Sequence, residues 1–152
     1  MIQPGDVLLY RPTGVFGRVI AVKTWHRISH VEVALSASES VASRDGIGVG
    51  RYAHRSQDLA HVLRPRLPVD LAVALRWFTT VEGQPYGWLD LLAFIGLKSD
   101  GPGMVCSPFA TEFLRAGGLP IFNGEPARYV APFEFLLSEL LMDVTNEAGI
   151  GA

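Results

Sequence analysis

The sequence predicts an α+β domain, a small antiparallel β-sheet packed against helices. Three observations support this: side-chain alternation of period two falls in the first half, helical spacing in the second, and glycine and proline are scattered between them as turn punctuation. Gly5-Asp6 ahead of Val7, Leu8, Leu9 and Tyr10 reads as a turn feeding a short buried strand. Val15, Val19, Val22 and Trp25 recur near the helical repeat with Arg18 and Lys23 off the stripe, so a helix is expected over residues 15–25. Residues 29–35 give the clearest strand, with Val31, Val33 and Leu35 on one face and His30, Glu32 and Ala34 on the other. Residues 39–43 and 47–52, joined by Arg44-Asp45-Gly46, should pair beside it as a hairpin, and residues 59–63 should add a strand.

From Pro68 the spacing turns helical. A helix is expected over 69–81, with Asp70 in its first turn and Gly83-Gln84-Pro85 ending it. Others are expected over 86–98, over 107–115 with Gly117-Gly118 closing it, and over 132–142. The whole reads as a single domain over residues 1–145, followed by a frayed tail at 146–152.

A length of 152 residues with 49% hydrophobic and 18% charged side chains fits one domain with a working core. The formal charge of -2, a pI near 6.1 and the lack of Lys/Arg runs interleaved with aromatics argue against a nucleic-acid partner. The start of the chain has no basic region ahead of an apolar stretch, so no signal peptide is expected and cytoplasmic residence is. The most apolar stretch, 88–97, is broken by Asp90 and is too short to span a bilayer, so no transmembrane segment is expected. One cysteine makes no internal disulfide and supplies too few thiolates for a structural zinc site. It is a buried filler or a reactive thiol, and composition alone favours the filler.

Position changes that balance. Cys106 precedes Ser107, Pro108 and Phe109, at the mouth of a helix with proline in its first turn. Unpaired N–H groups and the positive end of the helix dipole stabilise a thiolate there, and the same N–H groups can receive an oxyanion. A thiol nucleophile also needs a base. Of His26, His30, His54 and His61, only His30 lies in a well-patterned strand; the other three neighbour arginines and read as solvated surface. On alternation alone His30 could equally be an exposed polar residue of a one-sided strand. Glu32, two residues on and on the same face, is the nearest group to orient the imidazole, although neighbours along one strand stand several ångströms apart. Ser43 on the adjacent strand is the alternative and Glu39 a weaker one. No histidine pair has ligand spacing on a helix, so neither a metal nor a cofactor is expected.

Gly5-Asp6-Val7-Leu8-Leu9-Tyr10, Ser29-His30-Val31-Glu32-Val33, Gly83-Gln84-Pro85-Tyr86-Gly87-Trp88 and Cys106-Ser107-Pro108-Phe109 fall in an order that resembles the permuted members of the NlpC-type papain-like superfamily. The likeness is to the YiiX/YebB kind, with lecithin retinol acyltransferase-type enzymes as more distant relatives. It implies a circularly permuted papain-like fold in which His precedes Cys, with Cys106 as nucleophile, His30 as base, and Tyr86 and Ser107 on the substrate side of the thiol. The implied activity is a cysteine hydrolase acting on an amide or peptide bond, of cell-wall type, through an acyl-thioester. Relatives occur in bacteria and their phages, so travel in a phage particle is an alternative to cytoplasmic residence. Two positions depart from the pattern: Glu32 stands where relatives often carry glycine, and the next strand offers Ser43 where relatives carry a polar third residue. Two other readings stay open. One is acyl transfer or ester hydrolysis on a lipid, with Trp88, Leu91, Leu92, Phe94 and Ile95 lining an acyl groove unless they are plain helix packing. The other is a catalytically idle binding module.

Overall fold

The structure, a computed structural model, describes residues 1–13, 27–87 and 104–150. The chain enters the fold through the Gly5-Asp6 turn. Gly5 takes a φ of 91°, open to a residue without a side chain, and its N–H donates to the Ala34 carbonyl at 2.8 Å. The Asp6 carboxylate is 1% exposed. It accepts from the Gln3 N–H at 2.8 Å and from Arg64 Nε and Nη2, both at 2.9 Å. Asp6→Ala leaves the Arg64 guanidinium without its bidentate partner and opens the turn. Because Arg64 keeps partial contact with solvent, the expected cost is about 2–3 kcal/mol, read as a fall in the urea midpoint at unchanged slope.

That turn aims β1 (Val7–Tyr10) into the middle of a six-stranded sheet. β2 (His30–Ala34) lies on one side of it, followed by β3 (Glu39–Arg44) and β4 (Gly48–Ala53). β5 (Leu59–Pro65) lies on the other, followed by β6 (Leu141–Asp143). The spatial order is β4-β3-β2-β1-β5-β6, and every neighbouring pair is antiparallel. Tyr10 stands opposite His30 and Leu8 opposite Glu32, so the two polar positions of β2 lie across from the side chains of β1 that share their face.

One face of the sheet carries Val7, Leu9, Val31, Val33, Val41, Val49 and Leu63, packed against α1 (Leu71–Val81) and α2 (Cys106–Ala116). The Asp70 carboxylate caps α1 by accepting from the Val73 N–H at 3.0 Å, a contact worth about 1 kcal/mol. The helices meet through aromatic rings: Phe78 stands edge-on to Phe109 at 6.2 Å, and Phe109 also neighbours Trp77 and Phe113. The opposite face is covered as well. Leu8, Tyr10, Ala34, Leu59, Val62 and Val144 form a second, smaller cluster, with Ile2, Ala148 and Ile150 packed against it.

The observed architecture is thus mixed α+β, with an antiparallel sheet packed against helices. The hairpin, the strand at Leu59 and the helices starting near residues 70 and 106 fall close to where the sequence places them. The segment expected to be helical over 132–142 differs: it forms a 3-10 turn at Pro132–Leu137, then the strand β6. The outer edge of β5 needs partners. Leu63, Arg64 and Pro65 find them opposite Asp143, Met142 and Leu141, and Val144 N–H donates to the Val62 carbonyl at 2.8 Å; this pairing overrides the local helical spacing. Residues 146–150, expected as a loose tail, close turns on Thr145 and Asn146, and the chain's amino group donates to the Glu147 carbonyl at 2.6 Å. The helix expected over 15–25, and the one over 86–98 except for the non-helical Tyr86 and Gly87, lie outside the described residues.

Candidate active site

Cys106 is the first residue of α2 and 2% exposed. Val105 precedes it in extended conformation, and the helical bonds begin with the Phe109 N–H on the Val105 carbonyl at 3.1 Å. The N–H groups of Cys106 and Ser107 therefore precede the hydrogen-bond ladder, and Pro108 has none to offer. Helix-start geometry, expected from the Cys-Ser-Pro run, is what the structure has. Ser107 is buried in the same first turn.

His30 opens β2 at the end of the sheet, where its ring lies 5.9 Å from that of Tyr10. The Cys106 sulfur sits 4.0 Å from the carbonyl of Ser29, the residue just before it. His30 and Cys106 are thereby brought together from a separation of 76 positions, close enough for the sulfur to act electrostatically on the His30 ring. Burial by itself depresses the imidazole. The Cys106 charge and hydrogen bond, with the Glu32 hydrogen bond and charge added, outweigh it and push the ring up to about 9.

Glu32 reaches His30 directly: its Oε1 lies 3.1 Å from Nε2. The expectation that one-strand neighbours stand too far apart fails here because the glutamate side chain is pulled into place by its surroundings. Arg44 Nε donates to Oε1 at 2.8 Å and its Nη2 to Oε2 at 3.1 Å, Ser40 Oγ donates to Oε2, and the Tyr10 hydroxyl donates to Oε2 at 3.4 Å. Arg55 Nη2 adds a third charged neighbour, after His30 and Arg44, at 3.8 Å. Glu32 is 0% exposed, so its carboxylate is held wholly inside the protein. Burial works to raise its pKa, but the His30 hydrogen bond and charge, then the Arg44 and Ser40 hydrogen bonds, prevail and hold it ionised down to about 2. With Nε2 facing Glu32, Nδ1 is the ring nitrogen left for the sulfur.

The alternative third member does not join this group. Ser43 lies on the other face of β3, where its hydroxyl donates to the Met104 carbonyl and anchors the strand to the segment leading into Cys106. Glu39 lies at the far end of that strand and forms a looser ion pair with Arg51 at 3.9 Å. Tyr86 is brought in by a third segment: the Gly83 N–H donates to Val49 and the Val49 N–H to Gln84, both at 2.9 Å, which fixes the approach of Pro85 and Tyr86 along β4. Gly48, at a φ of 105°, passes so close to the Gln84 carbonyl that a side chain there would overlap it. The buried Tyr86 hydroxyl is pushed well up by desolvation, then by the Cys106 and Asp45 charges and a hydrogen bond with the Cys106 sulfur. Thiol, imidazole, carboxylate and phenol therefore form one chain of contacts.

Sequence reasoning missed the clamp on Glu32. Arg44 reads as a turn residue and Ser40 as an ordinary strand polar; the usable signal is that both sit at even positions of β3, on the face that Glu32 shares through the Ala34–Ser40 register. His54 is also not the solvated residue expected, since both ring nitrogens are buried with no partner among the described residues. His61 does meet solvent and pairs with Asp143 at 3.0 Å. His26 and the apolar positions Trp88, Leu91, Leu92, Phe94 and Ile95 lie outside the described residues. Among the described residues no cluster of three or more His, Cys, Asp or Glu is disposed to hold a metal, and no helix is long and apolar enough to cross a membrane. The chain matches no protein-family model, and no curated protein matches it.

Proposed function

We propose that this chain is a thiol hydrolase of the permuted NlpC-type papain-like kind, cleaving an amide or peptide bond of cell-wall type through an acyl-thioester on Cys106. The observation that carries it is the Cys106 sulfur, 4.0 Å from the Ser29 carbonyl, lying beside the half-buried His30 imidazole whose Nε2 Glu32 holds. In this reading the thiolate adds to the carbonyl carbon, and the oxyanion is received by the N–H groups of Cys106 and Ser107. The C–N bond then breaks as the His30 imidazolium gives its proton to the departing nitrogen, leaving the thioester. Water attacks the thioester while neutral His30 accepts its proton, and the carboxylic acid and the thiolate separate. Glu32 fixes the ring's orientation and stabilises its charged form throughout, and the Tyr86 hydroxyl lines the thiol. An alcohol or amine in place of water would give acyl transfer by the same steps.

The test is to mix the protein with panels of muropeptides, peptidyl amides and acyl lipids, quench in acid and weigh the intact chain. A hydroxylamine-labile acyl adduct on Cys106 from an amide donor is expected. Adducts from acyl lipids alone would replace the amide reading with the lipid one, and turnover that persists without an adduct would overturn both.

A further inference from the structure

On the face of the sheet that holds Glu32, β3 carries Ser40, Ala42 and Arg44, and β4 sets Tyr52, Gly50 and Gly48 opposite them in that order. Arg44 thus starts from the Gly48 end of the hairpin, yet its Nη2 donates to the carbonyl of Ala53, at the other end of β4, at 2.8 Å. The side chain lies back along the face, across the level of Ala42 and Gly50, where the smallest residues leave it room. Tyr52 makes a platform there. Its ring folds over Gly50 so that the hydroxyl donates to the Gly48 carbonyl at 2.6 Å, and the Arg44 guanidinium stacks on the ring, 4.3 Å from its centroid. A methyl at Gly50 would stand 3.1 Å from the Tyr52 hydroxyl oxygen and crowd the ring. From this platform the guanidinium fork assigns the two oxygens of Glu32. Nε takes Oε1 at 2.8 Å, the oxygen that faces His30 Nε2 at 3.1 Å, and Nη2 takes Oε2 at 3.1 Å, so the carboxylate is not free to turn away from the ring.

Building on the thiol-hydrolase reading, we propose that Arg44 and Tyr52 are positioning residues for the reaction: Tyr52 fixes the Arg44 guanidinium, and Arg44 holds the Glu32 carboxylate in line with the His30 ring. The groups that bear on that ring are Glu32 on its own strand, Tyr10 on β1, Arg44 on β3, Asp45 in the turn after it, Arg55 beyond β4 and Cys106 on α2. Charge and geometry predict opposite signs when Arg44 is changed. Loss of its positive charge alone would raise the His30 midpoint, whereas a carboxylate released from Nε2 lowers it. The midpoint would be followed by NMR in a Cys106→Ala background, so that titration of the sulfur does not enter. Arg44→Met is expected to lower it by about one pH unit, and Arg44→Lys, which keeps the charge but not the fork, to lower it as well. Tyr52→Leu should act in the same direction, and Tyr52→Phe, which keeps a ring under the guanidinium, should move it less. A midpoint that rises or stays in Arg44→Met would overturn the Arg44 assignment; if that variant does not fold, an unchanged midpoint in Arg44→Lys does so instead. An unchanged midpoint in Tyr52→Leu would remove Tyr52 from it. The thiol-hydrolase reading is tested separately with Cys106 in place, by its modification with methyl methanethiosulfonate followed by intact mass. A native thiol that reacts only after denaturation would remove that reading, and with it any part for Arg44 and Tyr52 in a reaction, while the His30 midpoints stand.

Discussion

Cys106→Ala is expected to abolish turnover of any substrate that forms the acyl adduct, a fall of about ten-thousand-fold or more, and His30→Ala to fall nearly as far. The double variant should be no worse than either single one, because nucleophile and base act as a unit and the second removal takes away nothing that still functions. Misfolding would not account for the loss in Cys106→Ala. The sulfur is 2% exposed and its removal leaves only a small cavity at the start of α2, costing roughly 1 kcal/mol. Single-turnover assays beside thermal melts check both halves. Activity that survives in Cys106→Ala with the fold intact would show that the reaction, if one occurs, does not pass through the sulfur.

The parts of this arrangement that were legible in the sequence are those set by local pattern. Alternation over residues 29–35 places His30 and Glu32 on one face, and the Cys-Ser-Pro run marks a helix start, because both signals depend only on neighbours a few positions away. What was not legible depends on pairing between distant segments. That Glu32 would be fully buried follows from Tyr10 across β1, from Ser40 and Arg44 on β3, and from a second apolar cluster completed by Val144 and the segment after it. None of these relations has a period in the sequence. Ser43 fails as the orienting residue for the same reason: strand parity places it on the face toward Met104, and the register deciding which face that is belongs to the sheet. β6 follows the same logic, since an unpaired edge of β5 outweighs helical spacing in a short segment.

Glu32→Gln is expected to be the most destabilising isosteric change in the chain and to separate orientation from mere packing. The amide keeps the shape but removes the charge that Arg44, Arg55 and His30 face, and an uncompensated buried charge of this kind costs about 3–5 kcal/mol. Arg44 and Arg55 are 16% and 28% exposed and can turn part of their charge to water, so the lower end, about 3 kcal/mol, is the better expectation. The sign of the pH dependence is fixed by which way each group moves. Glu32 is depressed from 4.5 to about 2, so its contribution is present above pH 4.5 and is lost as pH falls through 2; the variant should lack that acid limb. His30 is raised from 6.5 to about 9, so its contribution is complete below pH 6.5 and is lost as pH rises through 9. Because Cys106 outweighs Glu32 in raising the ring, the His30 midpoint followed by NMR should drop in Glu32→Gln and drop further in Cys106→Ala. Ser43→Ala, which frees one backbone carbonyl, should cost only about 1 kcal/mol and leave that midpoint in place. If Ser43→Ala moved the His30 midpoint while Glu32→Gln did not, the orienting role would pass to the serine. The Glu32 cluster would then be a support for the sheet and not a part of the reaction.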